Sequence, residues 1–98
     1  MKRIFSKGVL RDFWIKYPDS EQYLKTWFDT VLNANWKNPN DVKQAYTSAS
    51  ILKDCRIVFN IKGNSYRLVV KINFEKQWIF IKFIGTHKDY DKIDVNKI

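Results

Sequence analysis

Tyr66-Arg67-Leu68-Val69-Val70-Lys71-Ile72-Asn73-Phe74 places Tyr66, Leu68, Val70, Ile72 and Phe74 at every second position. Five apolar positions at period two fit a helix poorly and a strand well. Ile57, Phe59 and Ile61 repeat the pattern on one side of this run, and Ile79, Ile81 and Phe83 repeat it on the other. Gly63-Asn64 between the first two runs suits a two-residue hairpin, because glycine accepts positive φ. That turn sets Ile61 against Tyr66, Phe59 against Leu68 and Ile57 against Val70. A loop centred on Lys76-Gln77 sets Phe74 against Ile79 and Ile72 against Ile81. The two registers agree on one apolar face, which predicts a three-stranded antiparallel meander.

The same registers put Arg56 across from Lys71, and Lys71 across from Lys82, on the opposite face. Like charges facing each other on neighbouring strands are destabilising by a few tenths to ~1 kcal/mol. Such a row has two readings: a surface that binds an anion, or long basic side chains splayed into water that blunt an exposed sheet. Arg67, Val69, Asn73, Trp78 and Phe80 surround it, adding a fork donor and two flat rings.

Ninety-eight residues form one domain, 1–98, with room for one core. Hydrophobic residues at 45% and aromatic residues at 16% exclude a disordered chain. Eighteen Lys and Arg against ten Asp and Glu give +8 at pH 7, which favours polyanionic partners: RNA, DNA, anionic membrane or an acidic protein. The single Cys55 has no partner for an internal disulfide or a paired zinc site, and reads as a small residue near a strand start. Met1 to Phe5 is too short and too charged for a signal peptide, and no run reaches membrane-spanning length. The expected location is cytoplasmic, with no membrane partner.

Towards the start, Lys2 to Phe5 offers a short first strand. Val9, Leu10, Phe13, Trp14 and Tyr17 then form one face of a helix that Pro18 stops. Asp19 is placed to cap a second helix, with Gln22 completing a box-like arrangement. Tyr23, Leu24, Trp27, Phe28, Val31 and Leu32 make its stripe. Both stripes read as core, covering the apolar face of the meander. Asn33 to Asp41 reads as a loop holding Trp36, which is expected to be packed, and Asn40 or Asp41 as the cap of a short helix through Tyr46. The predicted class is α+β: a small antiparallel sheet packed against two N-terminal helices.

Trp36-Lys37-Asn38-Pro39-Asn40-Asp41-Val42-Lys43, Val58-Phe59-Asn60-Ile61 with Gly63 to Val69, and above all Phe83-Ile84-Gly85-Thr86-His87-Lys88-Asp89-Tyr90-Asp91 resemble HigB-type toxins of bacterial toxin–antitoxin modules. The resemblance runs in order over nearly the whole chain. It implies a RelE-like fold and the activity of an mRNA interferase, an endoribonuclease that cuts messages on the translating ribosome. It also implies a HigA-type antitoxin with a helix-turn-helix domain as inhibitor, so that DNA is met only through the antitoxin. Asp89 stands where relatives often carry glutamate, and is given no catalytic role.

RNA carries its own nucleophile, the 2′-hydroxyl. A ribonuclease must align it with phosphorus, move its proton and stabilise the charge that develops. His87 is the natural proton-transfer group, since imidazole titrates nearest neutrality; the plain alternative is an idle tail histidine. Tyr90 positions substrate by stacking or donating to phosphate, or else pins the tail to the sheet. Lys71 and Arg67 complete the candidate catalytic set, and Arg56, Lys82, Lys88 and Asn73 the candidate RNA contacts. His87, Asp89 and Asp91 make a poor ligand set, so neither metal nor cofactor is expected. A non-catalytic module that binds RNA or the ribosome through the same face is the other reading.

Overall fold

The computed structural model describes residues 1–98. Its strands are β1 (Arg3–Phe5), β2 (Ser50–Ile51), β3 (Arg56–Ile61), β4 (Tyr66–Asn73) and β5 (Trp78–Thr86). Its helices are α1 (Lys7–Lys16), α2 (Glu21–Leu32), α3 (Pro39–Ala45) and the short α4 (His87–Tyr90). The strands form one sheet in the order β1-β5-β4-β3-β2. The expected meander is its centre. β1 adds a parallel edge beside β5, and β2 adds two residues beyond β3, so the sheet is mixed and wider than the alternation alone suggests.

The β3–β4 register is the one expected from Gly63-Asn64, from Ile61 opposite Tyr66 to Arg56 opposite Lys71. The β4–β5 register differs. Asn73 faces Trp78, Ile72 faces Ile79 and Lys71 faces Phe80, a slip of two residues. The cause is the place of the loop: Asn73 Oδ1 accepts from Lys76 N–H at 3.0 Å and Gln77 takes φ 62°, which centres the turn on Glu75-Lys76, one residue earlier than expected. A slip of two preserves inside and outside, so Ile72 and Ile79 stay in the core. A bulge then interrupts the pairing between Val69 and Val70: Val70 faces Ile81, Val69 faces Phe83, and Lys82 is the extra residue. Parity flips there. Ile84, not Phe83, continues the inner face, and Phe83 turns outward with Val69.

The core lies between the sheet and the helices. Leu10 of α1 and Leu24, Trp27 and Val31 of α2 are buried, while Val9, Tyr23 and Leu32 are exposed. The buried arc is therefore narrower than the stripes, because a helix on a sheet covers only its central i, i+3, i+4 positions. Phe59 is the hub: Trp27, Tyr46 and Trp36 pack around its ring at centroid distances of 5.5, 5.1 and 6.3 Å. Trp36 is thus core, as expected.

Two caps differ from expectation. Asn38, not Asn40 or Asp41, caps α3: its Oδ1 accepts from Asp41 N–H at 3.0 Å, with Pro39 in the first turn. Asp41 reaches back to accept from Lys37 N–H at 2.9 Å. Asp19 does not cap α2. It sits in a 3₁₀ turn (Pro18–Ser20) and accepts from Tyr66 Oη at 2.6 Å and Lys62 Nζ at 2.7 Å, tying the helical layer to the β3–β4 hairpin.

Candidate nucleic-acid interface

The sheet face turned away from α1 and α2 carries the candidate site residues, in two groups. At one end, Lys71, Asn73, Phe80 and Lys82 line a hollow of about 670 Å³ beside Asp54 and Cys55. Lys82, freed from the ladder by the bulge, lies 6.0 Å from the Phe80 ring. Lys71 and Lys82 are not cross-strand partners as the sequence suggested; Lys71 pairs with Phe80, and the hollow brings the two cations together instead. Asn73 spends its carbonyl oxygen on the turn.

Arg56 does face Lys71, yet its guanidinium is occupied. Nε and Nη2 donate to Ile98 O at 3.0 and 2.9 Å, Nη1 reaches Asp54 at 3.4 Å, and the side chain is only 12% exposed. The row of three free cations therefore does not exist. The centre of the outward face is also apolar and covered: Val58 and Val69 are buried outside the main core, with α4 lying against β4 and β5.

The second group is Arg67, His87 and Tyr90. Arg67 and Lys71 are separated by about 13 Å along β4 at the usual strand rise. The Arg67 guanidinium lies 5.9 Å from the Tyr90 ring, which packs on Phe83 at 6.5 Å. Thr86 caps α4, accepting from Asp89 N–H at 3.1 Å while the Asp89 carboxylate accepts from Thr86 N–H. That box gives the acid at position 89 a capping role without catalysis. His87 N–H donates to Ser65 O at 3.3 Å, anchoring α4 on the β3–β4 turn. The imidazole is 52% exposed, with Nδ1 3.2 Å from Asp91 Oδ2. Lys88 is exposed on the same turn. No three His, Cys, Asp or Glu side chains converge as a ligand set.

The parallel pairing of β1 adds a feature that the sequence did not suggest. Phe5 faces Phe80 across the edge, and their rings stack at 4.9 Å and 9°. Trp78 meets Phe5 edge-on at 5.6 Å. Arg3 and Lys76 lie over Phe5 and Trp78 at 5.5 and 4.8 Å. A strip of rings alternating with cations thus runs from β1 into the hollow. The sequence placed Trp78 and Phe80 on this face, but the Arg3-Ile4-Phe5 run is too short to reveal which strand it joins.

A small helix-backed sheet with a basic, aromatic outer face is of the class whose charge and rings suit a polyanion. Similarity to known proteins narrows this. The family model described as HigB_toxin, "RelE-like toxic component of a toxin-antitoxin system", matches residues 20–93. The "mRNA interferase toxin HigB" of Escherichia coli (strain K12) is 32% identical over 90 residues, covering 90% of this chain and 86% of the relative. The "mRNA interferase HigB" of Shigella flexneri matches to the same extent, and that of Escherichia coli O6:H1 is 26% identical over 92 residues, or 92% and 89% of the two chains. The chain belongs to the HigB toxin family, and as the toxic component of such a system it has an antitoxin as partner. No helix is long and apolar enough to cross a membrane.

Proposed function

We propose that the protein is an mRNA interferase: an endoribonuclease that cuts messages on the translating ribosome, in the cytoplasm, under the control of a HigA-type helix-turn-helix antitoxin. The relatives' names supply the activity. The observation that carries it to this chain is the outward strip of Phe5, Trp78 and Phe80 with Arg3, Lys76 and Lys82, leading to Lys71. Stacked rings hold bases and the interleaved cations hold phosphates, the pairing that single-stranded RNA needs.

The 2′-hydroxyl attacks phosphorus, forming the P–O2′ bond and breaking the P–O5′ bond. His87 takes the 2′ proton and returns one to the leaving 5′ oxygen, without a metal. Arg67 and Tyr90 hold the scissile nucleotide beside it and offset the charge on the phosphorane. Lys71 and Lys82, with Lys88 and Asn73, bind flanking backbone. Induction of the toxin alone, with message ends mapped by primer extension, should reveal new 5′-hydroxyl ends within translated frames. Binding to RNA or ribosomes without new ends would make it a non-catalytic binding module.

A further inference from the structure

Asp19, the acid that ties the two layers together, stands at the start of a path of hydrogen bonds that ends at His87. Pro18 opens its 3₁₀ turn and the buried Ser20 closes it, with N–H and Oγ both donating to Tyr17 O at 2.9 and 2.7 Å. Asp19 is thereby presented to the β3–β4 turn and grips both of its ends. Lys62, where the turn begins, donates from Nζ to Oδ2 at 2.7 Å; Tyr66, just after it, donates from Oη to Oδ1 at 2.6 Å. Lys62 holds φ 51°, a left-handed backbone that a side chain disfavours, so a bond from outside the hairpin stabilises the turn. Phe13 and Tyr17 pack on the Tyr66 ring at centroid distances of 5.2 and 5.6 Å. Inside the gripped turn, Ser65 N–H donates to Lys62 O at 3.1 Å, and Ser65 O accepts from His87 N–H at 3.3 Å. That last bond joins the α4 backbone to the hairpin, whereas the other hydrogen bonds of α4 run within residues 86–93.

We infer that Asp19 is a positioning residue for the cutting reaction: from the helical layer it fixes the β3–β4 turn, and the turn fixes the backbone that carries the His87 imidazole. The inference rests on the reading of His87 as the proton-transfer group. Asp19 does not meet RNA itself, since Lys62 and Tyr66 take its two oxygens and a carboxylate repels phosphate. Proton transfer needs the imidazole within hydrogen-bond reach of the 2′ oxygen, so a displacement of about 1 Å is enough to slow it. A purely stabilising bond differs in its consequence. Its loss changes how much protein is folded, whereas loss of a positioning bond changes how fast the folded protein cuts.

The test compares Asp19→Ala and Tyr66→Phe in the full chain, at a temperature where thermal unfolding shows them folded. Tyr66→Phe keeps the ring against Phe13 and Tyr17 and removes only the hydroxyl, so it decides the matter even if Asp19→Ala unfolds. In single-turnover cleavage on translating ribosomes, each should lower the saturated rate by about tenfold, with half-saturation within about twofold of wild type. Glu21→Ala, which removes only the exposed partner of Lys25, should match wild type. Amide exchange at neutral pH, read by NMR, needs no RNA. His87 N–H should exchange about tenfold faster in both variants, while Asp89 N–H, held by Thr86, keeps its wild-type rate. A wild-type saturated rate in folded Asp19→Ala and Tyr66→Phe would overturn the inference, whatever the exchange shows. So would a slower rate with His87 exchange unchanged, or a loss confined to half-saturation, which would make Asp19 part of RNA binding. Failure of the wild type to cut messages would instead sink the reading of His87, with the exchange rates still deciding whether Asp19 holds α4.

Discussion

His87 gathers local interactions that fix its backbone and leave its ring accessible: the Thr86–Asp89 box, the bond to Ser65 O and the Nδ1 contact with Asp91. His87→Ala should therefore leave the fold and RNA affinity near wild type while lowering the cutting rate by roughly a hundredfold, the usual worth of a general acid–base. Single-turnover cleavage of a translated message checks this; unchanged cutting by folded protein would transfer the burden to Lys71 and Arg67. A second residue-scale prediction concerns Asp19. Its hydrogen bonds from Lys62 and Tyr66 hold its carboxyl below the ordinary 3.8 and push the Tyr66 hydroxyl up to about 12. A depressed carboxyl contributes stability that is present above 3.8 and lost as pH falls through the folded value. A raised phenol contributes stability that is full below 10 and lost as pH rises through about 12. The unfolding-temperature gap between wild type and Asp19→Asn should thus be open at neutral pH and close in acid. A gap that persists undiminished well below pH 3.8 would show that the Asp19 charge contributes nothing.

The sheet was legible where its elements carry contrast, and illegible where they do not. β3 and β4 carry apolar residues at every second position around the Gly63-Asn64 turn, so turn and parity together set their register. The β4–β5 slip by two conserves that parity and leaves no trace in the pattern. The bulge does change parity, but Phe83 and Ile84 beyond it are both apolar, so nothing in the residue types marks which one turns inward. Gly85 is the structural counterpart of that choice. A Cβ there would lie 2.5 Å from Phe83 Cζ and 3.1 Å from Asp89 Cβ, so α4 packs this closely only because position 85 is bare. Gly85→Ala should push the Phe83 ring aside, loosen Tyr90 and cost about 1–3 kcal/mol, as overpacking does. Urea unfolding measures the cost, and cutting should fall more than RNA affinity because α4 carries His87. Wild-type stability together with wild-type cutting would mean that α4 sits on Phe83 without constraint.

Across the whole molecule, the charge of +8 identifies the kind of partner but not where it binds. Composition made a polyanion-facing domain legible, and the motif from Phe83 to Asp91 pointed to the family. The arrangement of the cations was not legible, because it depends on contacts between residues far apart in sequence. Arg56 is the sharpest case: it reads as one member of a row with Lys71, but Ile98, 42 positions later, occupies its guanidinium. Lys71 and Lys82 instead line one hollow, with Lys82 left out of the ladder by the bulge. The three basic residues should therefore respond differently to charge reversal. Lys71→Glu and Lys82→Glu should each weaken RNA binding and lower the slope of log affinity against log salt by about 0.7 for each phosphate no longer neutralised. Their stability should stay close to wild type. Arg56→Glu should do the reverse, destabilising the fold by leaving Ile98 O unpaired and placing a carboxylate beside Asp54, with the salt slope little changed. Fluorescence anisotropy on a short single-stranded RNA across a salt series, paired with thermal unfolding, separates the two patterns. If Arg56→Glu reduced the slope as much as Lys71→Glu while unfolding at the wild-type temperature, Arg56 would be a phosphate ligand, with no structural part for its bonds to Ile98.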